Sequence, residues 1–227
     1  MKVTLIRYTP EPERACGMAA ALTHSKAKPE ELENMDDEKL KKILAYVIEL
    51  GHTSVVEHAS FTFAISGVSR ALTHQLVRHR IASYSQQSQR YVNLKEPTYV
   101  TPPSIEKDNI MKKAYDETME RIWKEYNKLL DIGIPAEDAR YVLPNATTSN
   151  IIVTMNARSL LNFFELRCCL HAQWEIRRLA NKMLREVKKV APTIFKNAGP
   201  PCRSKGICPE KDNDCPLYPE KKSGGNE

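Results

Sequence analysis

No apolar run in this chain extends far before a charge interrupts it, and none approaches the roughly 20 residues that a membrane-spanning helix needs. That excludes an α-helical membrane span. The opening residues, Met1 to Arg7, carry too short an apolar run for a signal peptide and are followed by no small-residue cleavage site, so they read as a strand. The protein is expected to be cytoplasmic. Glycine is scarce, 8 in 227 residues, and nowhere forms the fingerprint of a dinucleotide-binding βαβ unit. No internal repeat is present. The six cysteines (Cys16, Cys168, Cys169, Cys202, Cys208 and Cys215) make no disulfide framework for a cytosolic chain. The last three have no histidine among them and number one fewer than the four ligands of a closed zinc site, so no metal is expected.

What is present is a moderate excess of positive charge, +6 with a pI near 8.9, which favours anionic ligands. Helical spacing marks Pro10 to about Ser25, then a helix opened by Asp36 and Asp37 with Leu40, Ile43, Leu44, Val47 and Leu50 on its apolar positions and Gly51 at its end. Ser54-Val-Val-Glu57 matches a capping box and places a helix start at Ser54. Ala59 to Ile65 alternates as a strand that Gly67 should break, Val68 to about His79 reads as a helix, and the run on to Asn93 has no period. Thr98 to Val100 reads as a short strand. Ile105 to Leu130 is a long charged helix with Ile110, Ala114, Met119, Ile122, Tyr126 and Leu129 as its buried stripe. Ser149 to Met155 is a buried strand, and Ala157 to Val190 is one long helix or two abutting ones. The expectation is an α+β domain over residues 1–195 with a small central sheet flanked by long helices, and a loosely ordered Pro/Lys/Cys-rich tail over residues 196–227.

Two polar clusters stand out. Gln75 to Tyr91 holds three arginines, one histidine, three serines and four glutamines, leaving little for a core. A solvated helix end is the plain explanation of such a stretch. Arginine forks, however, hold phosphates bidentately, and serine and glutamine read a pyrimidine and a ribose. The second cluster is Asn156-Ala-Arg158 through Asn162 and Arg167 to His171. On one helix at about 100° per residue, Asn162 lies near Arg158 and His171 near Arg167, while Arg158 and Arg167 lie about 180° apart. Opposite faces that both bind ligand are most easily served in an intertwined homo-oligomer, expected as a homotetramer. An RNA-binding module is the alternative, but aromatics are not interleaved with the arginines as a stacking platform.

The string RHRIASYSQQSQRY, with Arg78, His79, Arg80 and Ser88 seven residues on, resembles the RHR-x7-S signature of the flavin-dependent thymidylate synthases. NARSLLNFFELRCCLHAQWEI and GHTSVVEHASFTF resemble two further blocks of that family, in the same order, so the likeness covers Gly51 to Leu179. The resemblance implies reductive methylation of dUMP to dTMP, with methylenetetrahydrofolate as carbon donor, FAD as redox cofactor and NADPH as reductant. It implies FAD contacts from Ser54, Arg78, His79, Arg80, Gln86, Asn156, Arg158 and Asn162. It implies a dUMP site of Gln75, Arg78, Gln86, Gln87, Ser88, Gln89, Arg90, Arg140 and Arg167, with Arg167 as the catalytic group. Some members carry an acid at the position of Gln86 and a glycine at that of Gln89, which weakens those two assignments.

The chemistry fits these roles. A guanidinium charged at any working pH can hold the charge drawn toward the N3/O4 edge of a uracil, which suits Arg167. His79, between two arginines, should have a depressed pKa from like-charge repulsion and act as a hydrogen-bond partner. Ser88 has no nearby histidine to activate it and reads as a phosphate or substrate contact. Glu57 reads as a cap, and Trp123 and Trp174 as core.

Overall fold

The computed structural model describes residues 1–219; the last eight residues of the expected tail lie outside the described part. In chain order the elements are β1 (Lys2–Tyr8), α1 (Pro12–Leu22), α2 (Pro29–Leu32), α3 (Asp37–Glu49), a 3-10 turn (Thr53–His58), β2 (Ser60–Ser69), α4 (Arg70–Leu76) and β3 (Ala82–Gln86). Then come α5 (Pro103–Glu106), α6 (Asn109–Asp131), α7 (Ala136–Ala139), a second 3-10 turn (Arg140–Val142), β4 (Thr148–Asn156), α8 (Ala157–Arg167), α9 (Trp174–Val190) and α10 (Pro201–Ser204). The fold is α+β, with one four-stranded sheet in the order β1-β2-β4-β3.

Pairs along the strands fix an antiparallel register. Thr9 N donates to Ser60 O while Gly67 lies beside Met1; Thr62 and Thr154 share a hydroxyl bond; Gln87 N donates to Asn150 O. The chain forms two compact units that interleave in sequence: one is Met1–Lys2, Ala64–Arg78 and Tyr84–Ile152, the other Val3–Phe63, His79–Ser83 and Val153–Glu227, the latter described to residue 219.

In the first unit Ser69 caps α4 by accepting from Leu72 N, and Leu72 and Leu76 are buried. Gly67, at φ 67°, does not break β2 as expected: the strand runs through it to Ser69, because a glycine tolerates that left-handed geometry inside a strand. The stripe of α6 also departs from expectation. Ile110 is exposed, and Met119, Trp123 and Tyr126 form the buried face. The first turns of that helix, capped by Asp108, extend beyond the core. Trp123 Nε1 donates to Leu94 O and Asn127 Nδ2 to Lys95 O, which pins the otherwise irregular 94–95 segment.

In the second unit α1 and α3 meet closely. A Cβ on Gly17 would lie 3.0 Å from Leu40, so that position requires glycine. Asp36 caps α3 through Lys39 N, and Gly51 at φ 82° ends it, as the sequence leads one to expect. Phe61, Phe164 and Phe195 meet edge to face around the core; each buried ring contributes roughly 1.5–3 kcal/mol through apolar burial. The carboxylate of Glu13, itself buried, accepts from Thr193 N, Thr193 Oγ1 and Ile194 N, tying α1 to the chain after α9. The stretch from Ala157 to Val190 is two helices. Gln173 caps the second, and Arg177 Nη1 donates to the carbonyls of Leu170 and Ala172 in the turn between them. Trp123 is core as expected, whereas Trp174 is only half-buried.

Candidate functional site

The candidate residues divide between the two units at the bond between Arg78 and His79. Gln75, Arg78, Gln86, Gln87, Ser88, Gln89, Arg90 and Arg140 belong to the first. Ser54, His79, Arg80, Asn156, Arg158, Asn162 and Arg167 belong to the second.

In the first unit α4 ends at Leu76 and the chain turns back as β3, whose Tyr84 hydroxyl donates to Leu76 O at 2.9 Å. Gln75 is half-buried on α4, and Arg78 stands exposed after it. The amide nitrogen of Gln86 donates to Thr73 Oγ1 (3.2 Å) and Ser149 Oγ (3.0 Å), so its donor hydrogens are spent internally. Gln87 Oε1 accepts from Asn150 Nδ2. Ser88 Oγ accepts from Arg90 N and shapes the turn. Arg90 Nε donates to Glu137 Oε2 at 2.9 Å and its guanidinium lies over Tyr91, while Arg140 Nε donates to Glu137 O. Glu137 thus holds two of the arginines expected in the dUMP site. Arg70, at the start of α4, is a further member: burial, and then the neighbouring Arg140 charge, push its pKa below the ordinary value. Neither Arg70 nor Glu137 was legible from the sequence, because only folding brings Arg70 to Arg140 and Glu137 to Arg90. The result is a cluster of guanidiniums suited to an anion.

In the second unit His79 is 8% exposed and packs edge-on against Phe163, 4.9 Å between ring centres. Arg167 Nε donates to His79 Nε2 at 2.9 Å. The imidazole nitrogen must therefore be an unprotonated acceptor, and its pKa is pushed down to about 4. The cause differs from the expected one: burial is the larger effect, and the adjacent charge is Arg167 rather than the sequence neighbours Arg78 and Arg80. Asn156 caps α8 by accepting from Ser159 N, and Arg158, exposed, pairs with Glu57. Glu57 therefore does not serve as a cap. Ser54 does not begin a helix either: it lies inside the 3-10 turn Thr53–His58, which has no side-chain cap. Asn162 and Arg80 are exposed, and Ser159 Oγ donates to Ile81 O, joining α8 to the chain after Arg80. Because α8 stops at Arg167, His171 does not share a helical face with it; it bonds Asp212 at 2.8 Å instead.

The donor set fits a flavin dinucleotide. Exposed Arg80, Arg158 and Asn162 offer hydrogen bonds suited to a diphosphate. Among the described residues no three His, Cys, Asp or Glu side chains are arranged to hold a metal ion, and no helix is long and apolar enough to cross a membrane.

Comparison with known proteins bears on this arrangement. The model of the thymidylate synthase complementing protein family matches residues 4–193. The flavin-dependent thymidylate synthase of Clostridium tetani is 51% identical, over 98% of this chain and 96% of that protein. That of Geobacter sulfurreducens is 51% identical over 98% and 97%. Among solved structures, a UMP/dUMP methylase, PolB from Streptomyces cacaoi bound with 5-Br dUMP, superimposes with a TM-score of 0.76 at 25% identity, covering 86% of this chain and 93% of that one. With the three sequence blocks in place and identity of this extent over nearly the whole length, the chain belongs to the family of flavin-dependent thymidylate synthases.

Proposed function

We propose that this protein converts dUMP to dTMP by reductive methylation, taking its one-carbon unit from methylenetetrahydrofolate and its electrons from NADPH through FAD. The observation that carries the reading is the hydrogen bond from Arg167 to a neutral, buried His79. Bound FAD supplies the redox chemistry; the chain's own residues bind, orient and hold charge. Arg90, Arg140 and Arg78 grip the dUMP phosphate, with Ser88, Gln75, Gln87 and Gln89 beside them. Gln86 offers its amide oxygen, since its nitrogen is engaged. Arg167 spends Nε on His79, which leaves its two Nη groups for the pyrimidine edge, where a fixed positive charge holds the negative charge that develops at N3 and O4. His79, an acceptor in its neutral form, orients that guanidinium. Arg78, Arg80, Arg158, Asn156, Asn162 and Ser54 hold the FAD, together with Gln86.

The catalytic region is residues 1–195, with residues 196–227 an appendage, and the working unit is a cytoplasmic homotetramer whose sites are shared between chains. Arg158 and Arg167 lie at opposite ends of α8, separated by nine residues and so about 180° round it, which motivates sharing. The test is anaerobic mixing of the photoreduced protein with dUMP and methylenetetrahydrofolate, followed by product analysis. dTMP should form in proportion to flavin oxidised, and flavin oxidation without dTMP would refute the activity. Refolding Arg80→Ala together with Arg167→Ala tests sharing: activity should return in the mixture, and a mixture as inactive as its parents would refute it.

A further inference from the structure

Three of the four cysteines that come together here belong to the segment expected to be loosely ordered. Cys169, Cys202, Cys208 and Cys215 line one small cavity with His171 and Pro200. At about 20 Å³ it has room for little more than a single water, so it is no substrate site. Two polar contacts hold the segment against the end of α8 and the turn that follows it. Lys205 pairs with Glu165 at 2.8 Å, and His171 bonds Asp212 at 2.8 Å. Cys169 lies between Glu165 and His171, and Cys202 lies three residues before Lys205. Burial raises the Cys202 thiol, and Cys169 and then Cys215 are near enough to raise it further. All four are partly exposed thiols. No three of the sulfurs are set as an ion cage, and the chemistry that remains open to close thiols is pairwise.

We propose that Cys169 and Cys202 form a reversible thiol–disulfide site that latches the C-terminal segment onto the turn after α8. The oxidant is a low-molecular-weight disulfide. One protein thiolate attacks it, releasing one small thiol and leaving a mixed disulfide. The second protein thiolate then displaces the other small thiol, forming the Sγ–Sγ bond. Two protein thiols are oxidised, one small disulfide is reduced to two thiols, and the two protons lost by the protein appear on those thiols. Cys16 and Cys168 stay out of this exchange: burial pushes each up to about 12, so almost no thiolate is present at neutral pH.

The experiment equilibrates the full chain with oxidised and reduced glutathione, counts thiols, and maps cross-linked peptides by mass spectrometry. Two of the six thiols should be lost, with a cross-link between the peptides holding Cys169 and Cys202, and dithiothreitol should restore both. Cys202→Ser should abolish the cross-link, whereas Cys215→Ser should keep it. Retention of all six thiols, a cross-link confined to Cys208 and Cys215, or one tightly bound zinc per chain that must be chelated before any thiol reacts would each overturn the proposal. The peptide map of the unaltered protein decides the matter even where a variant fails to fold.

Discussion

Arg90 in the first unit has half its side chain exposed and pairs with a carboxylate, Glu137. Arg167 in the second donates instead to a neutral imidazole that is 8% exposed. The two arrangements keep an arginine in place at different electrostatic cost. An exposed ion pair contributes only about 0–1 kcal/mol, so Arg90 can exchange its carboxylate for a ligand phosphate with little loss. A guanidinium bound to a neutral acceptor keeps its whole charge for whatever comes to its other edge. The first arrangement suits affinity, and the second suits charge stabilisation during reaction.

The sharpest break of that comparison is Arg167→Lys. Lysine keeps the charge but has no Nε to give His79 and no fork for a pyrimidine edge. The rate of reduced-flavin oxidation should fall by about 10²–10³-fold, as for removal of one preorganised donor, with the dissociation constant for dUMP nearly unchanged. Stopped-flow traces at saturating dUMP measure the first and equilibrium titration the second. A matching loss in both would erase the distinction between the two arginines.

Next in size is the cost of keeping His79 neutral. Its pKa lies near 4 in the folded chain against an ordinary 6.5. As pH falls through about 6.5 the unfolded chain takes up a proton and the folded one does not, until about pH 4. Stability from this residue is therefore fully present above pH 6.5 and is lost on the way down to pH 4, by about 3 kcal/mol. Urea unfolding at several pH values should show that decline in the parent chain and a flatter one in His79→Gln. Equal slopes would mean that the imidazole is not held neutral.

Much of this was legible in the sequence, and the rest was hidden for identifiable reasons. The helix over Asp37–Glu49 and the strand over Thr148–Asn156 were plain because each buries apolar residues at its own period. β3 was invisible: its half-buried positions are Ala82, Tyr84 and Gln86, so its alternation carries almost no hydrophobic signal. The end of α8 at Arg167 has no proline or glycine to announce it, and depends on Gln173 and Arg177, six and ten residues further along the chain. The family likeness singled out Arg78, His79, Arg80 and Arg167 as candidates, but could not reveal that His79 accepts from Arg167 across 88 positions.

A smaller effect is expected from Arg90→Ala, which removes a charge-assisted contact and no core packing. The dUMP dissociation constant should rise by about 10- to 100-fold, in line with 1.5–3 kcal/mol for a hydrogen bond to a charged group. Flavin oxidation at saturating dUMP should be nearly as fast as in the parent. A slow rate at saturation would place Arg90 in the reaction itself, and the comparison with Arg167 would fail from the other side.

The smallest and most discriminating effect concerns the carboxylates. Glu137 holds Arg90 and Glu57 holds Arg158, and in both pairs the side chains remain between 43% and 56% exposed. If these carboxylates only occupy arginines until a phosphate arrives, each competes with ligand and repels it. Glu137→Gln should then tighten dUMP binding and Glu57→Gln should tighten FAD binding, each by about two- to fivefold, which corresponds to an exposed pair of 0.5–1 kcal/mol. The gain should shrink as salt is raised, since such charges are screened over about 10 Å at 0.1 M. Thermal midpoints should scarcely move, because neither carboxylate is in the core. Weaker binding in either variant would mean that the carboxylate aims its arginine rather than competing for it. The exposed pairs would then be positioning devices of the same kind as His79 with Arg167, and burial alone would distinguish the two units.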